Sequence, residues 1–253
     1  MRKSLIFLVF ILWQSVVFGQ KINLSNVEIP VIMEERSDRV ITHKGYTVSY
    51  NYDWKIPNWV AYELTDYEVD GEVPRYDRFK PDPMVPKNVT ATTDDYKYSG
   101  WDRGHMAPAA DMKWDEQAMK ESFYLSNICP QNPNLNGGVW KDLEEQVRDL
   151  ARQKGRIFVV CGPIVNDTSL TLGTNKVVVP QAFFKVLLQE EQGEIHAIGF
   201  VYENKSGRKP MSTYAMTVDE VEDLTEIDFF PSLPNRVEKE AESAVDFSKW
   251  TIH

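Results

Sequence analysis

Apolar residues recur at helical spacing in one long stretch. Val139, Leu143, Val147, Leu150 and Ala151 fall on one stripe, which predicts a helix over about residues 139–153 with Gly155 as its stop. Elsewhere the apolar runs are short and rich in β-branched and aromatic residues. They predict strands at Tyr46–Tyr50, Trp59–Leu64, Phe123–Asn127, Arg156–Cys161, Lys176–Val179, Ala182–Gln189 and His196–Tyr202. In Trp59–Leu64 the apolar character partly alternates, as in a strand with one buried face. Asp111–Glu121 carries a short helical pattern, and a further helix starts at Thr217, where Glu220 completes a capping box.

Between these lie loops. Glu72–Lys87 holds four prolines and several charges, Lys87–Tyr98 is polar, and Pro130–Gly138 is rich in Pro, Asn and Gly. There are no internal repeats or low-complexity tracts. Mixed strands and helices in this order imply an α+β domain with a largely antiparallel sheet flanked by helices. One domain over residues 45–253 accounts for the pattern, with 20–44 as a loose leader.

The N-terminus changes the picture. Arg2 and Lys3 precede an apolar run from Leu5 to Leu12, and Gly19 offers a small residue for cleavage. This reads as a secretory signal over residues 1–19, too short for a spanning helix. No cysteine follows the run and no later segment is long and apolar enough to cross a bilayer, so no membrane anchor is expected. The expectation is an exported protein, periplasmic or extracellular. The two cysteines, Cys129 and Cys161, exclude a disulfide framework or a zinc cluster. Export would permit one bridge between them, and two buried thiols are the alternative.

The net charge of −10 argues against tight coating of nucleic acid, which favours basic surfaces. The acidity is concentrated, however: from Glu190 to His253 there are fourteen acids and six bases. A catalytic groove elsewhere needs only a few local cations.

Chemistry converges on two segments, Trp101-Asp102-Arg103-Gly104-His105-Met106 and Gln131-Asn132-Pro133-Asn134-Leu135-Asn136-Gly137-Gly138. A histidine can take a proton from water near neutral pH. An amide oxygen suits a hard cation that keeps most of its waters. An arginine can neutralise charge on a phosphate. Together they suit metal-assisted phosphodiester cleavage. Of the four histidines, only His105 sits in a dense polar cluster; His43, His196 and His253 read as ordinary residues. Trp101 and Trp114 could stack bases, though core packing accounts for both. No nucleophile elbow, phosphate-binding glycine loop or dinucleotide fingerprint occurs.

Asp102-Arg103-Gly104-His105, with Phe123 to Asn127, Asn136, Trp140, Leu143 and Glu144, resembles the signature of the DNA/RNA non-specific endonucleases. The likeness extends to Pro180–Lys185, Gly199–Val201 and Val218–Thr225, and covers about residues 45–236. It implies a ββα-metal (His-metal finger) core and Mg²⁺, or Mn²⁺, as cofactor. It implies DNA and RNA as substrates, 5′-phosphate and 3′-hydroxyl products, and often a homodimer.

The likeness also assigns residues. His105 becomes the general base, and Asn136 the one side chain that holds the metal. Arg103 grips the phosphate or braces the loop, a second arginine is essential, Asn127 holds the finger loop, and Glu144 acts on the metal through water. Arg75, by its spacing to Phe79, matches the second arginine, with Arg78 as competitor. Arg148 lies on the same helix face as Glu144 and is either a substrate contact or its i,i+4 ion-pair partner. Along a continuous helix Glu144 would lie about 12 Å from Asn136. The alternative function is a catalytically idle nucleic-acid-binding or surface-interaction domain on the same fold.

Overall fold

A computed structural model describes residues 22–250 and 252; the expected signal segment, 1–19, lies outside them. The frame is a seven-stranded sheet. Its strands, in chain order, are β1 (Arg39–Thr42), β2 (Thr47–Asn51), β3 (Ile56–Thr65), β6 (Arg156–Ile164), β7 (Ala182–Glu191), β8 (Glu194–Glu203) and β9 (Ala215–Met216). The spatial order is β9-β8-β7-β6-β3-β2-β1, and every pairing is antiparallel. The numbers β4 (Asp102–His105) and β5 (Ile128–Gln131) belong to a separate hairpin-like pair. The expected α+β class with an antiparallel sheet and flanking helices is therefore found.

Local sequence sets the frame. β7 and β8 are joined by Gln192-Gly193, both at positive φ, and Glu191 pairs directly with Glu194. A two-residue turn with positive φ at both positions matches the twist of the flanking strands. Alternation along the central strands sends side chains to two faces.

One face, with Val60, Val159, Cys161, Phe183, Leu187 and Phe200, is covered by helix α2 (Val139–Lys154) and the β4–β5 pair. The other, with Phe158, Val160, Phe184, Val186 and Leu188, is covered by α3 (Val218–Thr225) and α4 (Asn235–Glu242). A short helix α1 (Glu116–Glu121) lies near the β4–β5 pair in sequence.

Helix α2 buries the expected stripe plus Trp140, whose side chain is fully enclosed. Full burial of each such side chain stabilises by roughly 1.5–3 kcal/mol. The helix ends at Gly155 in the left-handed region, φ +82°, with Arg152 and Lys154 in its last turn to meet the dipole. Helix α3 is capped as its sequence predicts: Thr217 Oγ1 accepts from Glu220 N, and Glu220 reaches back to Thr217 N.

Four expectations need correction. The chain before residue 45 is not a loose leader: Leu24 and Val27 are buried, Val31–Ile32 pairs with Ile227–Asp228, and β1 forms the sheet edge. Phe123–Asn127 is not a strand. Leu125–Asn127 forms a 3₁₀ turn and the strand begins at Ile128, because Ser126 and Asn127 spend their side chains on distant partners. The helical pattern of Asp111–Glu121 splits at Asp115, which caps α1 by accepting from Gln117 N and Ala118 N. Pro130–Gly138 is not all loop: Pro130 and Gln131 end β5, and Pro133–Asn136 is a single helical turn.

Candidate active site

Strand β4 carries Asp102, Arg103, Gly104 and His105 and pairs with β5, Gly104 lying opposite Cys129 and His105 opposite Ile128. A Cβ on Gly104 would come within 2.1 Å of Gln131 Oε1, so only glycine lets the two strands close here. Alternation puts Arg103 and His105 on one side of the strand. Both meet Phe79: the Arg103 guanidinium lies 4.6 Å from its ring centre and the His105 ring 5.3 Å. Phe123 stands almost perpendicular to His105 at 4.9 Å, and Arg75 covers Phe123 at 5.0 Å. Phe79 and Phe123 also meet each other, ring centres 5.0 Å apart, so the imidazole completes a cluster of three rings, and a guanidinium caps each phenylalanine.

His105 Nε2 is buried and has no hydrogen-bond partner. The residue as a whole is only half-buried, which leaves Nδ1 as the nitrogen open to a water molecule. Burial, and then the charge of Arg75, push the imidazole pKa down to about 3. The ring is therefore neutral throughout the physiological range. Arg75 is itself exposed and pairs with Asp77 at 2.5 Å. Arg78 is exposed.

The turn after His105 is held by Asn127. Its Oδ1 accepts from Ala107 N at 2.8 Å, and its Nδ2 donates to Ala107 O and Ser122 O, both at 2.9 Å. The side chain is fully buried. Asn127→Ala strands three backbone groups, and the expected loss of unfolding free energy is roughly 2–4 kcal/mol. Urea unfolding measures it; a loss under ~1 kcal/mol would mean that other contacts hold the turn.

Asn136 ends the helical turn Pro133–Asn136. Asn132 caps that turn by accepting from Asn134 N and Leu135 N, with Pro133 at the first position. Asn204 braces it: Oδ1 accepts from Asn132 N at 2.8 Å, and Nδ2 donates to Pro130 O and Pro180 O. Asn136 Nδ2 donates to Asp102 Oδ2 at 2.9 Å. This bond orients the amide and leaves Oδ1 for a hard cation. The donor set, an amide oxygen beside a carboxylate, fits magnesium or manganese. Both polar atoms of the Gln131 side chain are buried without partners next to Gly104.

Gly137 and Gly138 separate this turn from α2, so one continuous helix does not join Asn136 to Glu144. A Cβ on Gly138 would sit 2.3 Å from Asn134 O. Glu144 faces inward on α2, where burial pushes its pKa up to about 7, opposed by Lys185 and reinforced by Asp111. Its alternative role as ion-pair partner of Arg148 is not realised. Arg148 Nη1 instead donates to Asp111 Oδ1 at 2.9 Å, and Tyr62 OH donates to Asp111 Oδ2 at 2.9 Å. Asp111 is fully buried and pulls the guanidinium down from the helix surface.

Sequence reasoning named Phe79 and Phe123 without their packing on His105, and did not single out Asp111, Asn204 or Lys185. Lys185 is wholly buried, its Nζ without a hydrogen bond and 4.9 Å from the Trp140 ring. A lysine inside an apolar strand, in Ala182–Gln189, was the available signal. The cysteines are free, buried thiols, Cys129 on β5 and Cys161 on β6, so the bridge is not made. Cys161 Sγ donates to Met106 O at 3.1 Å. Trp101 and Trp114 pack against the core. His43 is a buried partner of Asp82 at 2.9 Å.

Comparison with known proteins adds relatives with the same arrangement of sequence. The protein is 37% identical over 205 residues to Xenopus laevis mitochondrial nuclease EXOG, covering 75% of this chain and 57% of that one. It is 31% identical to human mitochondrial endonuclease G, covering 76% of this chain and 69% of the relative. A solved structure of an EndoG/EndoGI complex superposes with a TM-score of 0.73 at 30% identity, covering 79% of this chain and 89% of that one. The chain spans less than two thirds of the length of the EXOG relatives.

The EXOG and endonuclease G relatives are mitochondrial, which overturns the expected periplasmic or extracellular destination. A basic head with a short apolar run marks a targeting segment but does not specify the compartment. A family model described as DNA/RNA non-specific endonuclease matches residues 25–236, beginning well before the resemblance seen in the sequence alone, and the chain belongs to that family.

Proposed function

We propose that this protein is a magnesium-dependent endonuclease that hydrolyses phosphodiester bonds of DNA and RNA without base specificity. The observation that carries the reading is the imidazole of His105, neutral and open at Nδ1, packed against two phenylalanines that each carry a guanidinium, on the strand whose Asp102 orients Asn136. His105 accepts the proton of a water molecule as that water attacks phosphorus. Arg75 and Arg103 offset the charge that grows on the non-bridging oxygens. Their stacking on Phe123 and Phe79 restricts both guanidiniums before substrate arrives.

Asn136, oriented by Asp102, would hold a magnesium or manganese ion, which when bound supplies Lewis-acid stabilisation to the phosphate and the leaving oxygen. Glu144 and Arg148 support the site from α2. Contacts confined to phosphate carry no direct sequence information, which accounts for the lack of base specificity. Cleavage leaves 5′-phosphate and 3′-hydroxyl ends.

Incubating supercoiled plasmid and a structured RNA with the enzyme, with and without EDTA, tests this reading. Nicking of both that EDTA abolishes supports it, whereas binding without cleavage would identify an idle domain on the same fold. Asn136→Ala is expected to raise the Mg²⁺ concentration for half-maximal activity by at least about tenfold, since loss of even a ligand's outer partner costs about 10–100-fold. Equal half-saturation in mutant and parent would place the ion elsewhere. Arg75→Ala is expected to lower kcat/KM more than Arg78→Ala, because Arg75 alone of the two acts on His105 electrostatically. Steady-state kinetics of the two variants decide it, and the reverse order would exchange the roles.

A further inference from the structure

Across the sheet from His105, helices α3 and α4 bring carboxylates together. Asp219 and Glu222 lie three apart on one face of α3, and Glu242 is the last residue of α4. One oxygen of each lies within 4.8 Å of the others. Two oxygens bound to one calcium ion at about 2.3–2.6 Å lie at most about 4.6–5.2 Å apart, so the spacing suits a shared ion. The three residues grade inward: Asp219 is exposed, Glu222 half-buried and Glu242 buried, at 4% of its free surface.

The second observation is the buried end of this set. Glu242 Oε1 is shielded from solvent and has no hydrogen-bond partner. A buried carboxylate oxygen without a donor costs several kcal/mol unless a cation or a proton meets it. No side-chain cation among the described residues bonds to that oxygen. The leading charge effects on Glu242 come from Glu222, Glu238, Asp219 and Asp228, all carboxylates. Glu222 already uses Oε1 to accept from Phe229 N, which fixes its direction. Glu242 also sits at the C-terminus of α4, where the helix dipole adds negative potential. On β8, which packs against both helices, His196 and Glu194 are neighbours of each other.

We propose that Asp219, Glu222 and Glu242 form a binding site for a hard divalent cation of calcium size, separate from the nuclease site. Oxygen-only donors and a solvent-facing side that admits waters suit calcium. The ion ties the end of α4 to α3 and so fastens the C-terminal helix to the sheet. This site does not rest on the nuclease reading, because it lies on the opposite face and shares no residue with it.

The test is calcium titration by calorimetry, with thermal unfolding followed in parallel, on the full chain carrying Asn136→Ala to remove the other cation position. Calcium is expected to bind once, and the unfolding midpoint to rise with its concentration. Glu242→Gln is expected to abolish both effects. Asp219→Asn, at an exposed position that leaves folding intact, is expected to weaken binding at least tenfold. No binding and no midpoint shift at about 1 mM calcium, the weak end of natural calcium sites, would overturn the proposal and leave a set of protonated carboxyls. Binding that survives both substitutions unchanged would overturn it equally.

Discussion

His105→Ala is expected to reduce turnover by ~10²–10⁴-fold, the contribution of a positioned general base. Loss of the ring also empties its place against Phe79 and Phe123, so the attacking water loses its guide as well as its acceptor. DNA binding should change little, because Arg75 and Arg103 rest on the two phenylalanines rather than on the histidine. Single-turnover cleavage measures the loss, and turnover within a few-fold of the parent would remove His105 from the mechanism.

The same residue predicts the acid side of the pH profile. With its pKa pushed down to about 3, the imidazole is already neutral at pH 5 and stays so as pH rises. The activity of the parent should therefore not fall near pH 6.5 on account of this group. Arg75→Ala removes the charge that helps depress the pKa, so the acid limb should move toward higher pH. A parent limb centred at 6.5 would refute an imidazole depressed by burial and by the Arg75 charge. Stability has its own sign. Between pH 6.5 and 3 the unfolded chain takes up a proton that the folded ring refuses, so this residue destabilises the fold progressively as pH falls through that window.

The second large effect is on folding. Arg148→Met leaves the Asp111 carboxylate fully buried with Tyr62 OH as its remaining side-chain partner. Removing one member of a buried ion pair costs roughly 3–5 kcal/mol, because the other charge stays behind. For a domain of this size that lowers the thermal midpoint by on the order of 10 °C. The double variant Asp111→Asn/Arg148→Met should recover a substantial part of the loss. Thermal unfolding of the single and double variants checks both statements. A single variant as stable as the parent would show that Arg148 is free to meet substrate, as its place beside Glu144 on the helix first suggested.

The sequence was most legible where one periodicity ran unopposed. The stripe from Val139 to Ala151, the capping box at Thr217 and the strands from Arg156 to Tyr202 all appear close to their expected places. Reading failed where side chains outweighed pattern. Phe123–Asn127 has the composition of a strand, but Ser126 bonds to Asp82 and Asn127 bonds to Ala107 and Ser122, and the backbone turns to let them. The residues before 45 look too polar for a core, yet two short strands draw them in through backbone bonds that composition does not reveal.

At the site, the linear motif named the charged residues but not their supports. Phe79 and Phe123 are far from His105 in sequence, and nothing in the periodicity says that one imidazole will pack against both. The partner of Arg148 was misplaced for the same reason. Asp111 approaches from outside the helix, whereas i,i+4 reasoning looks only along it.

Strands β3 and β6 are neighbours, with Thr65 paired to Arg156, and Asp66 N donates to Gly155 O at 3.1 Å. The chain from 66 to 155 therefore leaves the sheet and returns to it at a single rung. Arg75, Arg103, His105, Asn136, Glu144 and Arg148 all lie inside that excursion. The chemistry is in effect a cassette with both ends at one joint. Its replacement by another sequence would need only two splice points, at adjacent positions, and a stripe like that of α2 to keep the sheet face dry. Chain cut inside the cassette would cost the reaction its geometry while leaving five of the six sheet pairings free of any broken connection.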